Sequence, residues 1–191
     1  MSNIFIISAP SGCGKTSLVK ELCLSYSFLK QTISHTTRKM RFGEINGRDY
    51  IFTNTKDFIN NINGNKFIEH QQVYDNFYGT SFDSIRQITE SGQDAVLEID
   101  YKGMLSIKSA IPSAISIYIM PPSITELQNR LIARGLDNRE VINKRVSQAA
   151  NELNYSRFSD YTIVNDDFNY ALKALKSLVL WSKISRNKLF N

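Results

Sequence analysis

The stretch Ala9–Thr16, APSGCGKT, lies between a short apolar run, Ile4–Ile7, and a segment with helical periodicity, Ser17–Tyr26. In that segment Leu18, Val19, Leu22, Cys23 and Tyr26 recur at spacings of three and four. Strand, glycine loop, Lys-Thr and helix, in that order, form the phosphate-loop arrangement. Gly12 and Gly14 let the backbone curl, so that successive N–H groups point inward at phosphate oxygens. The following helix N-terminus adds partial positive charge. Lys15 can reach β- and γ-phosphates, and Thr16 can offer its hydroxyl to Mg²⁺. The strict pattern opens with glycine. Here that position is Ala9, so the loop requires an ordinary negative φ there.

Working outward, the chain reads as strands alternating with helices. Expected strands are Gln31–His35, Asp49–Thr53, Ala95–Ile99, Ile115–Met120 and Tyr161–Val164. The segment 66–82 alternates like a strand, with its aromatics crowding a turn at Gly79. Thr55 is placed to cap a short helix with apolar Phe58, Ile59 and Ile62, ended by Gly64. Further helices are expected over Ser81–Ser91, over Gly103–Ala110, after a Ser123/Glu126 capping box, after Asp137 or Asn138, and over Phe168–Ile184. This alternation predicts an α/β fold with a mostly parallel sheet, whose ligands gather beyond the C-terminal strand ends.

A length of 191 residues suits one domain with subdomains. The net charge of +5 points to an anionic partner, nucleotide phosphates or nucleic acid, without choosing between them. The basic residues gather at two candidate phosphate sites rather than along one continuous stripe, which disfavours a nucleic-acid binder. Two cysteines, Cys13 and Cys23, form no disulfide framework and fit a reducing compartment. Cys13, at a helix N-terminus, reads either as an inert small residue or as a thiol of lowered pKa. With no signal peptide visible and no run long enough to span a bilayer, a cytoplasmic protein without a membrane partner is expected.

Two other features bear on chemistry. Arg38, Arg41 and Arg48 fall within eleven residues downstream of the phosphate loop, either as a solvated basic loop or as a second anion site. Asp100, closing a strand, is either a helix cap or a carboxylate that organises Mg²⁺.

The motifs SHTTR (34–38), GEINGRDY (43–50), YGTS (78–81), IDYKG (99–103), RLIARG (130–135) and NDDF (165–168) follow in order over nearly the whole chain. With them the chain resembles the guanylate kinases of bacterial type, where an APSG start to the phosphate loop also occurs. The resemblance implies a P-loop NTPase core (1–33, 95–122 and 160–191), a GMP-binding subdomain (34–94) and a lid (123–159). It implies an ATP:GMP phosphotransferase that uses Mg²⁺ and acts on GMP and dGMP, leaving monomer or oligomer open. Matching positions imply that Ala9, Pro10, Ser11, Gly12, Cys13, Gly14, Lys15, Thr16, Arg130 and Asn165 meet ATP. Arg38, Arg41, Tyr50 and Tyr78 match positions that hold the GMP phosphate. Ser34, Glu69 and Thr80 match positions that read the base, and Asp100 completes the GMP set. Lys15, Arg41, Arg134 and Arg145 match the catalytic cations. Thr16, with Asp100 through water, matches the metal position. Met40 stands where the family usually has proline, which loosens that loop. The alternatives are a non-catalytic module of this fold and a kinase of a related phosphorylated metabolite.

Overall fold

The computed structural model describes residues 2–73, 75–135 and 138–188, with side chains to residue 185. Its centre is a five-stranded, wholly parallel sheet ordered β2 (Leu29–Gln31), β7 (Asp94–Glu98), β1 (Ile4–Ser8), β8 (Ile115–Met120) and β9 (Tyr161–Val164). Strand β1 is buried on both faces, as its continuous apolar run requires. Phe5 and Ile7 join a cluster containing Leu18, Leu22, Leu127, Leu131 and Leu175. Ile6 joins another containing Ile85, Ile88, Met104 and Ile107. Helices α1 (Lys15–Ser25), α5 (Ile124–Ala133), α6 (Arg139–Glu152) and α7 (Phe168–Lys188) supply the first cluster. Helices α3 (Phe82–Glu90) and α4 (Tyr101–Ala110) supply the second.

A second sheet has four strands, ordered β4 (Ile51–Phe52), β3 (His35–Thr36), β6 (Asn76–Ser81) and β5 (Phe67–Val73). The short helix α2 (Thr55–Asn63) packs on it. The expected single strand over Gln31–His35 is thus two strands in two sheets. Pairing with β7 reaches Gln31 opposite Val96, and four residues later His35 pairs with Gly79. The expected turn at Gly79 is also corrected. Gly79 lies inside β6, and the hairpin turns at Asp75, next to Tyr74, which is outside the described residues. Glycine is needed there for closeness: a Cβ would come within 3.1 Å of both the Glu69 carbonyl and the Phe58 ring.

Caps explain most helix starts. Asn54, rather than Thr55, caps α2 by accepting the Asp57 N–H at 2.8 Å, because Asn54 is the residue with extended backbone. Ser81, Asp100, Ser123 and Asn138 cap α3, α4, α5 and α6 in the same way. The other candidate cap for α6, Asp137, lies outside the described residues. In the Ser123 box, Ser123 accepts the Glu126 N–H, while the Glu126 carboxylate takes Arg130 at 2.9 Å.

Phe58 has no exposed surface and stacks on Phe67 and Phe77, with ring centroids 4.6 and 5.5 Å apart. Phe58→Ala is expected to cost about 3–5 kcal/mol. Urea denaturation checks this, and a loss under about 1 kcal/mol would contradict the packing described.

Candidate active site

The parallel pairing of β1 with β7 sets Ile7 opposite Glu98, so the loop after β1 and the turn after β7 open side by side. In that loop Gly12 and Gly14 adopt φ of 93° and 85°. Among the described residues Asn65 is the one non-glycine with positive φ, so Ala9 meets the condition its position sets. A Cβ on Gly14 would lie 2.5 Å from the Asn165 amide nitrogen, which donates to the Cys13 carbonyl at 2.8 Å. Helix α1 begins at Lys15 with no side-chain cap, and its first amides have no intrahelical partners.

The Lys15 ammonium donates to the Ile99 carbonyl at 2.6 Å. Loss of hydration lowers its pKa, against the pull of Glu98 and Asp100. The Thr16 hydroxyl donates to the Glu98 carboxylate, whose other oxygen accepts from Gln31 at 3.1 Å. The carboxylate brought to Thr16 is therefore Glu98. Asp100 is the cap of α4, accepting the Gly103 N–H at 2.9 Å. Neither Glu98 nor Gln31 was singled out from sequence. The charged Glu98 inside the otherwise apolar run AVLEI was the available signal for the first, and Gln31 carried none. Cys13 is fully buried, and burial pushes its thiol up to about 12. The lowered-pKa alternative falls, and Cys13 is a packing residue.

Across the cleft, Glu69 is 7% exposed on β5. Thr80, its partner in register, hydrogen-bonds the carboxylate through both hydroxyl and backbone amide. Ser34 lies 3.3 Å from the Thr80 hydroxyl and extends this chain. Burial, with Asp100 nearby, pushes the Glu69 carboxyl up to about 7. Lys15 acts in the opposite direction, which ties the two sides of the cleft electrostatically.

Arg38 makes a bidentate pair with Glu44, at 2.7 and 3.0 Å, and lies 5.3 Å from the Tyr50 ring centroid. Tyr78 packs edge-on to Tyr50 at 6.0 Å. Glu44 also accepts the Arg41 backbone N–H at 2.7 Å, while the Arg41 side chain is exposed. Nothing in the local pattern around Glu44 marks it as the partner of Arg38. From the helices above the loop, Arg145 reaches the Ser11 hydroxyl at 2.8 Å. Arg130 spans the Asn165 and Asp166 carbonyls at 2.8 and 3.2 Å. Arg134 is exposed at the C-cap of α5. The structure thus gathers Ala9–Thr16, Arg130, Arg145 and Asn165 in one group and Ser34, Glu69 and Thr80 with Asp100 in a second. Arg38, Tyr50 and Tyr78 form a third, with Arg41 and Arg134 outward in this conformation.

A protein-family model described as guanylate kinase matches residues 1–182. The chain belongs to the guanylate kinase family. A guanylate kinase of Psychrobacter arcticus is 46% identical over 179 residues, 93% of this chain and 86% of that protein. One from Legionella pneumophila is 43% identical over 189 residues, 99% of this chain and 90% of that protein. The crystal structure of guanylate kinase from Anaplasma phagocytophilum superposes with a TM-score of 0.77 at 28% identity, covering 95% of this chain and 86% of that one. The P-loop NTPase core expected of the family is the fold observed. Among the described residues no helix is long and apolar enough to cross a membrane.

Raising a carboxyl from its ordinary value near 4.5 to about 7 has a cost in folding. The buried acid is tolerated while protonated, so the associated stability is complete below about pH 4.5 and is lost as pH rises through about 7. Glu69→Gln removes this dependence. At pH 8 it should be the more stable protein by up to about 3 kcal/mol, at about 1.4 kcal/mol per pH unit, with the gap closing toward pH 5. Urea titrations at the two pH values check this, and a gap independent of pH would contradict it.

Proposed function

We propose that this chain transfers the γ-phosphoryl group of ATP to GMP, and to dGMP, giving ADP and the guanine nucleoside diphosphate, in the cytoplasm. The observation that carries the reading is the buried Glu69 carboxylate, backed by Ser34 and Thr80, on the same cleft as a phosphate loop. Guanine presents two adjacent donors, N1–H and the 2-amino group, and an ionised carboxylate is an acceptor for both. Adenine would turn an acceptor, N1, toward that carboxylate and leave buried polar groups unpaired. Residues 34–94 then serve as the GMP-binding part and residues 123–159 as the lid over a core of 1–33, 95–122 and 160–191.

In this reading the loop amides and Lys15 hold the ATP phosphates, and Lys15 leaves the Ile99 carbonyl for them. Asn165 and Arg130 lie where the adenine side of ATP enters. Arg38, Tyr50 and Tyr78 hold the GMP phosphate, with Arg38 exchanging part of its Glu44 pairing for phosphate oxygens. A phosphate oxygen of GMP attacks the γ-phosphorus, and the bond to the bridging oxygen of ADP breaks with its electrons going to ADP. The nucleophile is already anionic near neutral pH, so the protein supplies positioning and positive charge rather than a base. Arg41, Arg134 and Arg145 supply that charge once the lid closes and excludes water.

Thr16 and Glu98 form an all-oxygen donor pair at the phosphate end of the cleft, which suits a hard divalent cation. Thr16 would hold Mg²⁺, with Glu98 and Asp100 orienting its waters. Bound there, the cation would supply positive charge to the phosphate oxygens.

Coupled ADP release with GMP, dGMP, AMP, CMP and UMP tests the reading. Turnover is expected with the two guanine nucleotides, falling at least about 100-fold in Lys15→Ala. Glu69→Gln should raise KM for GMP about 100-fold while leaving KM for ATP within about threefold. Equal turnover of AMP, or unchanged GMP kinetics in Glu69→Gln, would contradict it.

A further inference from the structure

Gly103 sits in the first turn of α4 with an ordinary helical backbone, so no positive φ demands glycine there. Glycine is a poor helix former at such a position, and alanine the best. What glycine provides is space. A Cβ at residue 103 would stand 3.1 Å from Glu69 Oε2, with Ile99 Cδ1 at 3.2 Å and Ile99 Cβ at 3.3 Å. Its N–H meanwhile donates to Asp100 Oδ1 at 2.9 Å. Gly103 therefore bears on both carboxylates of the pocket: its amide bonds Asp100, and Glu69 borders the space its missing side chain leaves. Glu69 is 7% exposed and pairs in register with Thr80, so its carboxylate can yield only by a small displacement.

Resting on the guanine-reading role given to Glu69 above, we propose that Gly103 is a positioning residue for base specificity. Its bare Cα sets where the Glu69 carboxylate stands and so how well that carboxylate meets the two guanine donors. A methyl group at residue 103 displaces the carboxylate by a few tenths of an ångström while leaving the Asp100 cap intact. Hydrogen bonds to a charged acceptor depend steeply on such placement. The three atoms nearest that methyl group belong to Glu69 and to the Ile99 side chain, none of them to the phosphate loop or to the Ile99 carbonyl that holds Lys15.

The test is Gly103→Ala, assayed with GMP and with IMP, which keeps N1–H and O6 but lacks the 2-amino donor. For the variant, kcat/KM for GMP should fall about tenfold, chiefly through KM, with KM for ATP within about twofold. The preference for GMP over IMP should shrink by a similar factor, and Tm should hold or rise, as expected for alanine in a helix. Ile99→Val added to Gly103→Ala removes the Ile99 Cδ1 contact and leaves that with Glu69. The double variant should therefore show the same weakened GMP preference as the single one. Unchanged GMP kinetics and preference in Gly103→Ala would overturn the proposal. So would recovery in the double variant, or a lower Tm with equal losses for ATP and GMP, since either makes the glycine a matter of packing alone. The wild-type protein separates the two levels of argument. Failure to phosphorylate GMP would defeat the functional reading itself, whereas normal wild-type turnover with an indifferent Gly103→Ala would defeat only this inference.

Discussion

The hydrogen bond from Lys15 to the Ile99 carbonyl joins the phosphate loop to the turn after β7, and the layout of the cleft follows from it. It exists because β1 and β7 are parallel neighbours in register, Ile7 beside Glu98, so both strand ends arrive at one place. The phosphate loop hangs from the first end. From the second come Glu98 toward Thr16, Asp100 as the cap of α4, and Gly103 against Glu69. One strand pairing thereby links a phosphate cradle, a metal-suited oxygen pair and a buried acid. Asn165 at the end of β9 closes the arrangement from the other side by gripping the Cys13 carbonyl.

The electrostatics of this cleft are arranged in tension. Lys15 loses hydration and its pKa falls, while Glu69 loses hydration and its carboxyl rises to about 7. Each is held in a state that a ligand of the right charge pattern relieves. Phosphates favour the charged ammonium, and paired N–H donors favour the ionised carboxylate. Arg38 differs: Glu44 already satisfies it, so the loop around it keeps its shape through a bidentate pair and the aromatic faces of Tyr50 and Phe52.

Much of this was legible in the sequence because it is local. The glycine loop, the apolar runs of β1 and β8, the Ser123 cap and the periodicity of α7 all depend on neighbours a few residues apart. Contacts distant in the chain were not legible. Gln31 and Glu98 are 67 residues apart, and nothing in either neighbourhood says that they meet. Gly79 looked like a turn because glycine usually marks one, whereas the crowding that demands it comes from Phe58 and the Glu69 carbonyl across the sheet. The lowered-pKa alternative for Cys13 falls for a related reason, and the inert small residue stands. A helix N-terminus lowers a thiol pKa only where charge is tolerated, and the core beneath the phosphate loop withdraws that tolerance. The family resemblance supplied the roles expected of Glu69, Arg134 and Arg145, which spacing alone would not have assigned.

The central claim is that the buried Glu69, its carboxyl pushed up to about 7, must be ionised to receive guanine. Calorimetric titration of GMP at pH 6.5, repeated in buffers of different ionisation enthalpy, counts the protons exchanged on binding. The account predicts that wild-type protein releases most of one proton more per GMP than Glu69→Gln does, with the excess vanishing by about pH 8.5. The comparison cancels the proton chemistry of the GMP phosphate. Equal proton counts for the two proteins at pH 6.5 would contradict this account of Glu69.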